Sequence, residues 1–546
     1  MLDGGVRKVK SSLAFAATLA AASWLALAPA LAQSARDRVL VVAVATSPAS
    51  VDAEQAPSAE GETMMANTAG GDLFAYKVVK DPAYGVDEVD LKSVGDQGVE
   101  GRLAESWTVE DGGKTILVKL KRGIKSPAGN EFTAADYKWT WERRFAMKSV
   151  GKFMGQVLGM DGPDSLEVVD PQTVRFHLRG PSPIFFKLLA QNYYGGPFDA
   201  TEAKKHATTS DPWAKDWLRT HSDGFGPYEV EKLTPGSETV LTPNPNWSGA
   251  PVFFNRVVLR VVPNSSARLS LLKAGQVDIA WDLSERELKE VEQAPGLKVV
   301  RAKSNKQLYV GLATDKQPTD NVKVRQALAY ATPYKDIIDK IFYGRARPMT
   351  SIVPDIYAGY EKTYSYTTDF DKAKALLKEA GKSDGFPLTL SYNAAAPEAE
   401  EMAVLVKSSW DQIGVKTTLQ ALPTSVYAEQ KGDKKLVAFA ENEQWPWTGD
   451  PGYSSWVYMA NGPDNILNGS NWNDSAYNAL VEKMMRMLDS PDRAAIGLQA
   501  QKMAAENAPW IQVAWFEWSV AASKKIDGFL WTPDNQLRFA PLSRSK

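Results

Sequence analysis

The first 32 residues constrain this chain most. Arg7, Lys8 and Lys10 precede an apolar run from Leu13 to Leu27 that closes on Ala30-Leu31-Ala32. These are the basic, apolar and small-residue parts of a cleavable export leader. The run falls short of the ~20 residues a spanning helix needs, and no second apolar run follows, so a membrane anchor is the competing reading. Cleavage is expected after Ala32, where there is no cysteine to accept a lipid. Exported proteins are often held by disulfides, yet this chain has no cysteine at all, so residues 33–546 must be held by burial and hydrogen bonding. At 546 residues and 44% hydrophobic composition, there is enough apolar surface for several packed domains. A formal net charge of −2 gives no electrostatic footprint for nucleic acid or an anionic membrane. Leader, size and absent cysteine together fit a protein of the bacterial periplasm.

Alternating strand and helix signals predict one mixed α/β body. Val39 to Val44 reads as an opening strand, and Ser106–Val109 and Thr115–Leu120 flank Asp111-Gly112-Gly113 as a hairpin. Thr133, with Asp136 three residues on, caps a helix that places Tyr137, Trp141 and Phe145 on one face. Asp170-Pro171-Gln172 turns a second hairpin into Thr173–Leu178, with Val174, Phe176 and Leu178 on one side and Arg175 and His177 on the other. Ala267–Ala274 reads as a helix stopped by Gly275, followed by a strand from Val277. Asp320 is expected to cap a helix that Pro333 ends, and Ile337 to Phe342 marks another helix stopped at Gly344. Between Leu388 and Leu422 a helix carrying Met402, Leu405, Val406, Ser409 and Trp410 separates two strands, a βαβ unit that predicts a parallel pair. Trp107, Trp141 and Trp410 fall at core positions.

The catalytic inventory is thin. His177, His206 and His221 have no ligand spacing, and HExxH, CxxC and EF-hand patterns are absent, so no metal or other cofactor is called for. Gly224-Phe225-Gly226-Pro227-Tyr228-Glu229 begins like a dinucleotide fingerprint but has glutamate where the third glycine belongs. No P-loop or GxSxG elbow is present. A secreted hydrolase is therefore the runner-up class.

Eight segments in order carry a family resemblance. They include Ala104-Glu105-Ser106-Trp107, the Lys121–Lys125 and Gly129–Asp136 stretches, Gly226-Pro227-Tyr228, Asn244–Trp247 before Arg260–Pro263, the Leu271–Asp278 segment, Val324–Ala331 and Ala373–Gly381. Together the chain resembles the family 5 extracellular solute-binding proteins, the peptide, dipeptide and nickel receptors of ABC importers. Small departures, Val51-Asp52-Ala53 and Trp247-Ser248-Gly249, bear on packing. The resemblance implies an α/β periplasmic binding protein of two lobes joined by hinge crossings, with an extra domain inserted in the first lobe. On that pattern residues 33–78, 210–304 and 515–546 form the first lobe, 79–209 the extra domain and 305–514 the second lobe. It also implies a monomer that does no covalent chemistry, captures a peptide or other small solute, and delivers it to permease subunits in the inner membrane.

For the ligand, Trp447-Thr448-Gly449-Asp450 resembles the Trp-x-x-Asp segment of the peptide receptors, which implies that Asp450 pairs with the ligand's α-ammonium. An enclosed ammonium needs such a partner. The alternative is that Asp450 only forms a turn before Pro451-Gly452. Trp445, Trp447, Tyr453 and Trp456 could wall apolar side-chain pockets or stack on sugar rings, which keeps an oligosaccharide or opine-like ligand open. Glu60-Gly61 sits where the peptide receptors offer first-lobe contacts. Three scattered histidines speak against nickel or haem.

Overall fold

The computed structural model describes residues 37–545 apart from 53, 56–58, 192–195, 445–447 and 462–466, so the leader lies outside the described residues. Among these, eleven strands share one sheet, in the order Tyr228–Thr234, Glu238–Pro243, Arg256–Val261, Val39–Val44, Ile279–Ala280, Trp510–Ser523, Leu297–Leu312, Ala438–Gln444, Phe386–Asn393 and Val415–Leu422, with Ala346–Pro348 added on Trp510–Ser523. The two longest strands, Leu297–Leu312 and Trp510–Ser523, run antiparallel at the centre. Their outer ends pair over 297–302 with 518–523, beside the strand from Ile279. Their other ends pair over 306–311 with 510–516, beside Ala438–Gln444. Each long strand thus serves one half of the sheet at one end and the other half at the other.

The register breaks between Ala302 and Lys306, where the skipped residues leave ladder groups to be satisfied by side chains. Ser304 Oγ donates to Phe516 O at 2.6 Å. Asn305 Nδ2 donates to Tyr357 Oη (2.9 Å) and Pro533 O (2.8 Å), and Asn535 Nδ2 donates to Asn305 Oδ1 at 2.8 Å. Indole N–H groups of Trp518 and Trp531 donate to Asn535 O and Oδ1, both at 2.9 Å. Every side chain in this knot is buried.

Helices cover the sheet. One core gathers Leu308, Leu328, Leu390, Met402 and Trp410 around the second half, where Phe386–Asn393 and Val415–Leu422 are parallel across helix Pro397–Trp410 as the βαβ pattern predicts. Trp410 is fully buried and donates to Leu328 O at 3.0 Å. The hairpins form a separate four-stranded antiparallel sheet, ordered Ala104–Glu110, Thr115–Leu120, Thr173–His177 and Leu166–Asp170. Val174, Phe176 and Leu178 face inward while His177 is exposed. Helix Ala134–Met147 begins at Thr133, whose N–H donates to Asp136 Oδ2 at 2.8 Å. Its Arg143 and Arg144 are fully buried against Asp52, Glu54 and Asp72, tying the start of the chain to this helix. At the other terminus, Arg544 donates to Asp37 O and Val39 O and pairs with Asp278 at 2.8 Å.

Three expectations are corrected. Asn321, not Asp320, caps helix Val322–Tyr330: its side chain accepts from Lys323 N at 2.9 Å. Pro333 sits at the start of helix Tyr334–Ile341, three residues after the preceding helix has ended. Trp107 is half-buried, because its Nε1 donates to Asp96 (3.0 Å) while its ring meets Phe74 edge-on at 5.1 Å.

Gly224 and Gly226 serve packing. Gly226 N donates to Thr68 O at 2.8 Å, and a Cβ there would lie 2.2 Å from that oxygen. The Gly226→Ala protein is expected to lose about 1–3 kcal/mol, the usual penalty for overpacking, read as a lower urea midpoint with an unchanged slope.

Candidate functional site

Strand Ala438–Gln444 leads directly into the Trp445–Asp450 segment. Trp445 and Trp447 lie outside the described residues, as does the side chain of Glu60. Thr448, Gly449 and Asp450 are buried, and helix Pro451–Met459 follows. Asp450 caps that helix: Oδ1 accepts from Tyr453 N at 2.9 Å, and Pro451 fills the first turn, where no N–H is needed. Both carboxylate oxygens accept from Arg493 Nη2 at 2.9 Å, and Arg493 is held in turn by Asp489 at 2.8 Å and by Met484 O at 3.0 Å. Lys187, almost fully buried, approaches from the hairpin-bearing stretch and donates to Gly449 O at 2.6 Å. Burial works to raise the Asp450 pKa, but the charge and hydrogen bonds of Arg493, the charge of Lys187 and the Tyr453 N–H outweigh it and hold the carboxyl below the ordinary aspartate value. Burial lowers the Lys187 pKa, against the pull of Asp450 and Asp489.

This geometry gives Asp450 protein partners beside the expected pairing with a ligand ammonium. Its oxygens are engaged by Arg493 and by a helix cap, so the carboxylate holds the segment in place. It is not a simple turn residue, since Pro451 continues into a helix. Gly449 packs tightly: a Cβ there would meet Leu91 at 3.2–3.3 Å. Tyr453 is fully buried, with its ring 6.3 Å from that of Trp456. Trp456 stacks on Phe153 at 6.2 Å. Gly61 is buried in helix Ala59–Thr68.

Residues paired across a ladder share a face. Gln307 lies opposite Glu443 and Trp515, and Tyr309 opposite Glu441 and Gln512, so one face of the central strands collects them all. Tyr309 stacks on Trp510 at 3.7 Å, and its hydroxyl donates to Glu443 at 3.0 Å. Lys431 pairs with Glu441 at 2.6 Å and lies 3.8 Å from Glu443. Burial raises the Glu443 pKa, Lys431 opposes it and Glu441 adds to it, with the raised value the outcome. Among the described residues no hydrogen-bond partner reaches either amide atom of Gln307, Oε1 of Gln512, the indole N–H groups of Trp510 and Trp515, or the hydroxyls of Thr448 and Ser455. Buried polar groups left this way cost about 1–3 kcal/mol each unless something else satisfies them. They are the atoms an enclosed polar ligand or water would meet.

Sequence reasoning missed Gln307, Gln512, Lys431, Glu441, Glu443, Lys187 and Arg493. Arg493 stands 43 residues from Asp450 on helix Pro491–Asn507, and no local pattern joins them. The histidines are spent elsewhere: His177 lies 2.9 Å from Glu167, and Trp217 is stacked between His206 (4.1 Å) and His221 (4.9 Å). Among the described residues no group of His, Cys, Asp or Glu could hold a metal, and no helix is long and apolar enough to cross a membrane.

Comparison with known proteins agrees with this architecture. The model of the bacterial extracellular solute-binding proteins, family 5 (Middle), matches residues 98–465. Heme-binding protein A of Haemophilus influenzae is 27% identical over 462 residues, 80% of this chain and 83% of that protein. The probable D,D-dipeptide-binding periplasmic protein DdpA of Escherichia coli K12 is 28% identical over 456 residues, covering 82% and 85%. Among solved structures, the periplasmic binding protein DppA from Helicobacter pylori in complex with peptide STSA superposes with a TM-score of 0.78 at 24% identity, over 93% of this chain and 98% of that one.

Asp450→Asn is expected to cost about 3–5 kcal/mol, because it removes the buried carboxylate that Arg493 Nη2 grips and leaves the partly exposed Asp489 as the remaining charge partner of buried Arg493. A native pKa below the unfolded one gives stability that is complete above the unfolded value, near 3.9, and is lost as pH falls through the native value. Urea unfolding across pH 3–7 checks both: the variant is the less stable form at pH 7, and the gap narrows in acid.

Proposed function

Since the chain belongs to the bacterial extracellular solute-binding proteins of family 5, we propose that it is the receptor of an ABC importer, closing its two lobes around a peptide and presenting it to a permease. The observation that carries this reading is the row of buried, unpartnered polar atoms at Gln307, Gln512, Trp510 and Trp515, on the two strands that both halves share. A peptide backbone offers the amide donors and acceptors that such atoms lack. Backbone pairing binds without reading side chains, and contacts to both lobes favour the closed state only when the site is filled.

The division into a first lobe of 33–78, 210–304 and 515–546, an extra domain of 79–209 and a second lobe of 305–514 is part of the proposal. The Ala302/Lys306 break supports a border near 304. Within the proposed site, Trp445, Trp447, Thr448 and Gly449 are the segment offered to the ligand, with Tyr453 and Trp456 packed in the helix that follows, and Glu60-Gly61 is assigned the first-lobe contact. Asp450 acts through Arg493 to hold that segment. The binding chemistry needs no catalytic group. Haem is poorly supported, because the three histidines are exposed and occupied by Glu167 and Trp217.

Mass spectrometry of the natively purified protein is expected to release a series of short peptides; an oligosaccharide or opine in their place would redirect the ligand class. A bound peptide should raise Tm by mass action and be recovered uncleaved, whereas steady turnover would make the protein a hydrolase. Calorimetry on one peptide, free and N-acetylated, separates the roles of Asp450. Equal losses in Asp450→Asn are expected, and a loss confined to the free amine would mean direct pairing. The protein should fractionate with the periplasm as a monomer whose first residue is Gln33; recovery from membranes with residues 1–32 attached would reject the leader assignment.

A further inference from the structure

A half-open cavity of about 250 Å3 lies at the far end of helix Ala59–Thr68, between Phe74–Val78, Val89, Trp247 and the returning chain from Leu530 to Pro541. None of its described lining residues falls within 305–514. Tyr76 in its wall donates to Lys187 O at 3.1 Å, and Lys187 Nζ holds Gly449 O, so the cavity lies beside the Gly449–Asp450 segment while its described walls come from other parts of the chain. A dry apolar cavity of about 150 Å3 already admits benzene, so the space is adequate for a ring with a short arm.

The walls are mostly apolar, with Phe74, Ala75, Val78, Leu530, Ala540 and Pro541 contributing. Most polar groups among them are already spent. Asn67 donates to Thr63 O and Leu537 O and accepts from Phe539 N. Asp534 pairs with Arg538 at 2.5 Å and accepts from Thr532 Oγ1 at 2.7 Å. Gln191 is the exception: it is 4% exposed, and neither its Nε2 nor its Oε1 has a hydrogen-bond partner. A buried carboxamide with both atoms unsatisfied is costly, and a ligand carboxamide repays it reciprocally by accepting from Nε2 and donating to Oε1. A charged ligand fits worse. Arg538 is neutralised by Asp534, and the remaining charge, on exposed Glu100, repels an anion.

The geometry points to a second binding site here, specific for a small uncharged carboxamide with an apolar body. It goes beyond the receptor reading and does not rest on it. Benzamide is the probe and benzoate its charged counterpart, both followed by ligand-observed NMR titration on the full mature protein. Benzamide is expected to bind at least tenfold more tightly than benzoate. Gln191→Leu, which keeps the shape and removes the amide, should cost at least tenfold in benzamide affinity, and Ala540→Phe, which fills the space, should abolish binding. A crystal soaked with benzamide should show the amide against Gln191, a readout that needs no variant. Equal benzamide affinity in all three proteins, preference for benzoate, or a soaked crystal with an empty cavity would overturn the site. Peptide binding should be unchanged in both variants, so failure here and failure of the receptor reading are separately visible.

Discussion

The pairing of Leu297–Leu312 with Trp510–Ser523 is the constraint on which the rest depends. Two strands that each serve both halves of a sheet leave little freedom between those halves except at the point where the ladder is interrupted. That point, Ser304-Asn305, is satisfied by side chains: Asn305 and Asn535 bond to one another, and two tryptophan N–H groups fix Asn535. Side-chain hydrogen bonds can be re-aimed over a small angle more readily than ladder bonds can slide. The break is thus both the weakest point of the backbone pairing and the most heavily braced by its neighbours.

Around that axis, the hairpin-bearing stretch reaches over to the second half of the sheet. Lys187 meets Gly449 O, Lys92 meets Tyr357 O at 3.2 Å, Ala358 N donates to Leu91 O at 3.0 Å, and Phe153 stacks on Trp456. Burying Lys187 is expensive, and its position beside Asp450 and Asp489 offsets the expense. The same stretch grips the start of the chain through Arg143 and Arg144. A stretch bonded at both ends in this way fixes the distance between the Asp52–Asp72 region and the Gly449 segment.

Elements with local causes were legible in the sequence. The Asp111–Gly113 turn, the Thr133/Asp136 cap and the βαβ unit each depend on residues a few positions apart, and each was found where the pattern put it. The Asp320 cap missed by one position because Asp320 and Asn321 are both competent caps and only the backbone geometry selects Asn321. The site was much less legible. Asp450 could be singled out, but its role was set by Arg493 and Lys187, 43 residues after and well over 200 before it, and distance along the chain hides such pairings. Gln307 and Gln512 look like ordinary strand residues until the register sets them on one buried face.

The first strand, Val39–Val44, does not lie at an edge: it sits between Arg256–Val261 and Ile279–Ala280, and Arg544 closes on its entry from 505 residues away. Its nearest sheet partner arrives more than 200 residues later in synthesis. Contacts so remote in sequence make for slow folding. The chain therefore cannot complete its central sheet while its own end is still being made. If it is exported by threading, its central sheet stays incomplete for almost the whole of translation, and with no cysteine to be oxidised on arrival, that sheet closes without disulfide formation.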